Sequence, residues 1–437
     1  MAESRTGEVR VNFDGGRDFA QAQDAADPLA SFRDRFVIPQ RPDGGEVIYF
    51  CGNSLGLQPK SAVTMVGEEL AVWGALAVGA HFAAERAWVS YQERLAPATA
   101  ALVGAEPSEV VTMNTLTVNL HLMMVSFYRP TPARHKVVIE RPAFPSDRYA
   151  VESQIRFHGF EPATSLVEVG PREGESTIRM EDLAARIEAE GPTVALLMLP
   201  GVNYYSGQVF DMAALTRLGH SQGCQVGFDL AHAVGNIPLR LHDWGADFAV
   251  WCTYKYLNGG PGSIAGCFVH DRHRDWANQP RLAGWWGHDK ASRFKMGPDF
   301  QPIPGAEGWQ MSNAPILSTA PVLASLGIFE EAGMPALRAK SERLTSYLAY
   351  LVGERLGDHV EILTPAESTE RGCQLSLRVK GARGDQRRVF EVLGANGVVC
   401  DWREPDVIRV APVPLYNRFE EVFEFVGILQ GALARPV

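Results

Sequence analysis

The chain carries six cysteines in 437 residues, and none forms a C-x-x-C pair. That argues against zinc ribbons and dithiol redox motifs, and makes a reducing cytoplasm the expected compartment. A basic surplus is missing as well: 41 Lys and Arg stand against 51 Asp and Glu, a formal net charge of −10. Neither nucleic acid nor an anionic membrane is then an expected partner, because both require a basic surface. No apolar run is expected to reach membrane-spanning length. The opening residues Met1-Ala-Glu-Ser-Arg-Thr-Gly7 lack the apolar core of a signal peptide. There is no internal repeat, and no low-complexity segment beyond a polar N-terminal stretch.

What is present is the composition of a globular protein with a sizeable core: 46% hydrophobic and 21% charged residues. The length suits two or three domains. Residues 1–45 read as a polar arm that packs on something else or is partly mobile. From residue 46, short apolar strands at 109–113, 136–140, 194–199, 225–229, 247–252 and 264–269 alternate with amphipathic stretches such as 181–190 and 211–222. This alternation predicts an α/β fold with a mostly parallel sheet covered on both faces, in a large domain spanning 46–317. Residues 270–312 break the pattern with a loop rich in Trp, Gly and Pro. Such a loop is more often functional or interfacial than idle. A helical pattern from Ser318 to about Leu356, interrupted at Gly333-Met-Pro335, leads into strands at 373–379, 398–402 and 407–410. Residues 318–437 are therefore expected to form a smaller α+β domain with the linking helix.

The chemistry centres on Lys255. The apolar segment 248–252 ends at Thr253-Tyr-Lys255, and a glycine-rich loop follows at once. Lysine is strongly hydrated and avoids the mouth of a core strand. Held there among aromatic groups it is suited to a Schiff base with a carbonyl cofactor. Pyridoxal phosphate (PLP) would also require an acidic partner for its pyridine nitrogen. Asp229 closes the apolar segment Gln225-Val-Gly-Phe-Asp229 and meets that requirement, and Asp229 and Lys255 both fall where such sheets bind ligands. The ordinary alternative is a solvated loop lysine.

Four further stretches suit the same site. Thr112-Met-Asn-Thr-Leu-Thr-Val-Asn-Leu-His121 opens a helix after a strand. The Leu116 and Thr117 amides and the Thr117 hydroxyl are taken as the phosphate site; plain N-capping is the alternative. In Pro142-Ala-Phe-Pro-Ser-Asp147, Phe144 can stack on a planar ring and Asp147 can bond the cofactor, with Pro145 and Ser146 beside them; an ordinary proline-rich turn is the alternative. Asp229-Leu-Ala-His232 has metal-like spacing but no clear third ligand, so His232 is read as support for the Asp229 carboxylate. His270 and His273 fall in a charged run that reads as a solvated face. Arg409, alternating with Ile408 and Val410 ahead of a proline-rich turn, suits capture of a substrate carboxylate, with a structural salt bridge as the alternative.

Together these residues resemble the kynureninases, PLP enzymes of aminotransferase fold type I. The resemblance runs over nearly the whole chain after about residue 45. Its motifs, in order, are Gly52-Asn-Ser-Leu-Gly-Leu-Gln-Pro-Lys60, Asn114-Thr-Leu-Thr-Val-Asn-Leu-His121, Phe144-Pro-Ser-Asp147, Val226-Gly-Phe-Asp-Leu-Ala-His-Ala-Val-Gly-Asn236, Tyr254-Lys-Tyr-Leu-Asn258, Gly284-Trp-Trp-Gly-His288 and Ile408-Arg-Val-Ala-Pro-Val-Pro-Leu-Tyr-Asn417. It implies hydrolysis of L-kynurenine or 3-hydroxy-L-kynurenine to L-alanine and an anthranilate. Lys255 would hold PLP and move the Cα proton. Tyr254 would bind phosphate and serve in proton transfer. Asp229 and His232 would hold the ring-nitrogen side, Phe144 would stack and Asp147 would support it. Arg409 would hold the substrate carboxylate. Trp285 and Asn313 match residues that the family donates across a homodimer to the partner's cofactor site. Ser54, His81 and Asn313 resemble the set of the members that favour 3-hydroxykynurenine.

Two positions depart from the family pattern. Pro200 stands where a small hydroxyl residue is frequent, which removes one phosphate-side hydrogen bond, and Trp286 stands where Phe is common. A cysteine desulfurase on the same fold is the nearest alternative. It would require a reactive loop cysteine, and the only candidate, Cys373, lies in the strand-like alternation Cys373-Gln-Leu-Ser-Leu-Arg-Val379. A nicotinamide dehydrogenase finds little support, because Gly260-Pro-Gly-Ser-Ile-Ala-Gly266 departs from G-x-G-x-x-G and does not open a βαβ unit.

Overall fold

The structure is a computed structural model and describes residues 12–274, 280–381 and 383–434. Residues 1–11 of the expected arm, 275–279 of the aromatic loop, and 382 and 435–437 near the C-terminus lie outside the described residues.

After the short strand β1 (Ile48–Tyr49) come the strands of the main sheet: β2 (Val110–Thr112), β3 (Lys136–Glu140), β4 (Leu166–Val169), β5 (Val194–Pro200), β6 (Gln225–Asp229), β7 (Phe248–Trp251) and β8 (Gly266–Val269). The seven strands lie in the order β2-β8-β7-β6-β5-β3-β4. Strands β4, β3, β5, β6 and β7 run parallel, and only β8 is antiparallel to its neighbours β7 and β2. The expected mostly parallel α/β sheet is therefore present, with β4 as a member the sequence pattern did not single out.

Period-two alternation splits each central strand between two cores. Leu197 and Leu199 of β5 face one apolar cluster, together with Leu183, Ile187 and Leu215 of helices Met180–Glu190 and Met212–Ser221. Leu196 and Met198 face the other, with Met123 and Met124 of helix Leu116–Phe127 and Val151 and Ile155 of helix Pro145–Phe157. Both faces are buried, as an apolar parallel sheet requires.

Helices Ile316–Ala332 and Met334–Leu356 are separated at Gly333, which sits at φ +73°. They lead to β9 (Val360–Ile362), β10 (Leu375–Val379), β11 (Val398–Val399), β12 (Asp401–Arg403), β13 (Val407–Val410) and the helix Phe419–Ala434. Strands β9, β10, β12 and β13 form an antiparallel sheet in the order β12-β13-β10-β9, and β1 pairs in parallel with β11. Arm residues Phe13, Phe19 and Ala20 pack into this C-terminal core beside Tyr347. Asp24 accepts the amides of Phe419 and Glu420 at 2.7 and 2.9 Å, capping the last helix.

Two expectations are corrected. The run 270–273 is not a solvated face: His273 is buried with its Nε2 2.8 Å from Asp247 Oδ1, and His270 stacks on His242. The stretch Lys60–Ala83 is, by length and apolar composition alone, long enough to cross a membrane. It packs along Ile316–Ala332, and its buried Glu69 accepts bonds from Arg86 Nε at 2.7 Å and Trp88 Nε1 at 2.8 Å. Val63, Trp73, Val78 and Phe82 lie on the surface of the single chain.

Candidate active site

A cavity opens at the carboxyl ends of β3, β5, β6 and β7, walled by Thr117, Glu140, Phe144, Asp147, Asp229, His232, Tyr254 and Lys255 among others. Lys255 is placed by a turn just beyond β7. Asn258 N–H donates to the Lys255 carbonyl at 2.9 Å, Gly259 N–H to the Thr253 carbonyl at 2.9 Å, and the Thr253 hydroxyl donates to the Ile264 carbonyl at 2.6 Å. The Gly52–Lys60 motif clamps this turn. Gly56 N–H donates to the Tyr254 carbonyl at 2.8 Å, and a Cβ on Gly56 would lie 2.3 Å from the Lys255 carbonyl oxygen. Only glycine allows that approach. At its other end a Cβ on Gly52 would lie 2.4 Å from the Tyr416 hydroxyl, so the same segment also seats against the loop that follows β13.

Lys255 Nζ lies 3.0 Å from His232 Nε2, 5.9 Å from the Phe144 ring centre and 6.0 Å from that of Tyr254. Burial, with Lys255 and then Arg409 as nearby positive charges, holds His232 well below the ordinary imidazole value, so its ring is neutral at physiological pH. Three carboxyls share the cavity. Burial pushes Asp147 far up, and Asp229 and Glu140 add to it. Burial also raises Asp229, but the Ala231 amide at 2.7 Å, Lys255 and Asp147 each favour its anion. Asp229 is thus the member of the bonded pair that ionises first, with Asp147 as its protonated donor. Glu140, at the end of β3, is pushed up to about 8 by burial and then by Asp229.

Arg409 is buried on β13, directly across the ladder from Asp401. Its guanidinium donates to the Tyr204 carbonyl at 2.6 Å, to the Ser54 hydroxyl at 3.2 Å and to the Asp401 carboxylate. Ser54 also donates to Asp401, and Arg403 reaches the same carboxylate oxygen at 3.0 Å. Tyr204, whose ring meets Phe144 edge-on at 5.2 Å, joins this network to the cavity wall.

The cavity thus gathers Leu116, Thr117, Phe144, Ser146, Asp147, Asp229, His232, Tyr254 and Lys255, with Pro145 opening the adjoining helix and Pro200 next to Asp229 in register. Ser54 and Arg409 are not among its walls and join it through the Tyr204 carbonyl, and it does not gather Trp285, Asn313 or His81. Trp285 is 46% exposed and Asn313 is exposed. Trp285 meets Phe294 at 5.6 Å, Phe294 meets Phe82 at 5.6 Å, and His81 lies between Phe82 and Trp88. These aromatics form one chain on the outer face. Glu140 and Tyr204 line the cavity but were not anticipated. For Glu140 the signal was available: an acid closing an apolar strand, as at Asp229. Tyr204 follows no strand pattern and gave none.

The residues present fit PLP. His232 Nδ1 and Asp147 Oδ1 are buried with no partner within the described residues. Thr115 makes no side-chain cap, so the first amides of helix Leu116–Phe127 stay open at the cavity, beside the Thr117 and Ser146 hydroxyls 2.8 Å apart. A lysine amine, an ionisable acid, a neutral imidazole and an open helix terminus make the donor set for a phosphorylated pyridine aldehyde.

Residues 48–286 match the aminotransferase class-V family model. The fold is shared with a lysine-to-alanine variant of C-DES that carries glycine covalently linked to its PLP cofactor (TM-score 0.74, 17% identity, 91% of this chain and 98% of that one). It is also shared with an apo cysteine desulfurase from Thermococcus onnurineus NA1 (TM-score 0.72, 18% identity, 90% and 98%). Fold and cavity together define a PLP-dependent enzyme of the class-V type. Residues 337–429 match the kynureninase C-terminal domain model. The chain is 58% identical to a kynureninase of Xanthomonas euvesicatoria pv. vesicatoria over 94% of its length and 96% of the relative's, and 58% identical to one of Xanthomonas oryzae pv. oryzae over 94% and 97%. The chain belongs to the kynureninase family, whose chemistry is hydrolysis of a carbon–carbon bond with PLP as cofactor. The desulfurase alternative gains nothing from the site: Cys373 is fully buried, and burial pushes its thiol up to about 12.

Proposed function

We propose that the Lys255 cavity cleaves L-kynurenine or 3-hydroxy-L-kynurenine between Cβ and Cγ, giving L-alanine and the matching anthranilate, with the 3-hydroxy substrate slightly favoured. The observation that carries this reading is the placement of the Lys255 amine 3.0 Å from neutral His232, in a cavity that also holds the Asp229–Asp147 pair. The bound cofactor supplies the electron sink for the breaking bond. Asp229, whose anion is favoured by the Ala231 amide, then by Lys255 and Asp147, would pair with the pyridine nitrogen, and Phe144 would cover the ring. The Leu116 and Thr117 amides, the Thr117 and Ser146 hydroxyls and Tyr254 would hold the phosphate. Lys255 takes the Cα proton and returns it. Burial and Cys252 raise the Tyr254 phenol, so it stays protonated and can donate as water adds at the Cγ carbonyl. Arg409 binds the substrate carboxylate.

A homodimer with shared sites is part of the same reading. It is supported by the outer aromatic chain from Trp285 to Trp88, which continues into Trp73 and Val78, 57% and 81% exposed in the single chain. Apolar patches of this kind mark association surfaces. The partner's face would then bring Trp285 and Asn313 to the cofactor, and His81 and Asn313 to the substrate ring. Because Ser54 is engaged by Asp401 and Arg409, recognition of a ring hydroxyl falls to His81 and Asn313. The test is kcat/KM for both substrates, in the parent and in His81→Ala, together with borohydride labelling. We expect label on Lys255, and a 3-hydroxy preference that falls in His81→Ala. Parental preference for plain kynurenine would overturn the substrate assignment, and a protein that PLP cannot reconstitute would overturn the whole reading.

A further inference from the structure

Around Arg409, next to the cavity wall at Tyr204, the structure gathers one anion and two cations. Asp401 Oδ2 accepts from Arg409, from Arg403 at 3.0 Å and from Ser54, all on the same oxygen. The arrangement is built by register: Asp401 lies opposite Arg409 across the β12–β13 ladder, and Arg403 is two residues further along β12 on the same face. Arg409 is 1% exposed, so its charge must be balanced inside the protein when no substrate is bound. Asp401 supplies that balance. The Nε groups of both Arg403 and Arg409 are buried with no partner within the described residues. The pair thus keeps donors in reserve, and the three side chains together leave one positive charge uncompensated.

We propose that Asp401 is a stand-in for the substrate carboxylate. It holds Arg409 in position in the empty site, and when an amino-acid carboxylate arrives it is handed over to Arg403. The single surplus charge of the trio matches the single negative charge of the incoming group, so the occupied site is neutral. Arg403 is in this account a positioning residue that makes Arg409 available, and Asp401 competes with the ligand it prepares for.

This rests on the reading that Arg409 takes a substrate carboxylate, and it predicts shifts of opposite sign in two neighbouring variants. Asp401→Asn removes the competitor and should tighten binding of L-alanine about tenfold. Arg403→Gln removes the residue that accepts Asp401 and should weaken it about tenfold, while Arg403→Lys should stay near the parent. The probe is L-alanine titrated into PLP-loaded protein and followed by cofactor absorbance, with KM and kcat for kynurenine measured in parallel. The same opposite signs are expected in KM, with kcat changing far less. A purely structural role would weaken binding and lower the melting temperature in both variants alike. That result, or no change in either, overturns the proposal. Should Asp401→Asn not fold, Asp401→Ser removes the same charge and is judged by the same sign. Loss of kynurenine turnover in the parent would instead strike the reading of the enzyme, and leaves the alanine comparison able to judge this one.

Discussion

Glu140 shows at the scale of one residue how burial sets chemistry. A carboxyl pushed up to about 8 is protonated at pH 7, which spares the cavity a second negative charge beside Asp229. Its raised value favours the neutral form in the fold. The stability linked to that proton is complete below the ordinary carboxyl value near pH 4, drains away as pH rises, and is gone above pH 8. Glu140→Gln is neutral throughout. Its melting temperature should therefore gain on the parent's between pH 5 and 8, by an amount corresponding to a few kcal/mol at about 1.4 kcal/mol per pK unit. Melting curves of the holoenzyme across that range decide it; a constant difference between the two proteins would place the Glu140 proton elsewhere.

At the scale of elements, the strands carrying Asp229 and Lys255 were legible because both are apolar runs that stop at a charge. The same rule reaches Glu140. Helix Lys60–Leu76 was less legible, because its exposed apolar residues interrupt the amphipathic pattern that marks a surface helix. The pairing of Arg409 with Asp401 was not legible either: it depends on the β12–β13 register, and β12 is only three residues long. The 270–273 run misled for a related reason. Arg272 and His273 converge on one buried acid and the Asp271 amide on another, Glu109, which no local pattern announces. Asp247, just before β7, is bonded to Val226 N–H at 2.7 Å, His220 at 2.9 Å, His273 at 2.8 Å and Arg272 at 2.7 Å. Burial acts to raise its carboxyl, but the bonds from His220 and His273 and the Arg272 charge outweigh this and hold it well below the carboxylate range. A depressed value means stability that is present above about pH 4 and is lost as pH falls. Asp247→Asn should cost about 1–3 kcal/mol at pH 7, since it weakens a buried acceptor that bonds Val226 N–H, His220, His273 and Arg272. In urea unfolding the loss should shrink toward pH 3. A cost under 1 kcal/mol at pH 7 would mean the cluster is not a stabilising one.

For the whole molecule the decisive question is which chain supplies Trp285 and Asn313. Within one chain Trp285 sits on the outer aromatic face and Asn313 is exposed, while Lys255 lies in the cavity at the sheet ends. If each site is built from two subunits, Lys255→Ala and Trp285→Ala each lack one part of it. Mixing the two variants under conditions that exchange subunits then yields heterodimers with one intact site, made of Lys255 from one subunit and Trp285 from the other, and one doubly defective site. Random pairing makes half the dimers mixed, so the ceiling is about a quarter of parental activity. Activity should rise over the exchange period, reach that level at equal proportions, and fall on either side. If each site lay within one subunit, every site would stay defective, and the mixture would give only the sum of its two components. That flat result would return Trp285 to a structural role on the surface and remove the reason for the shared-site dimer.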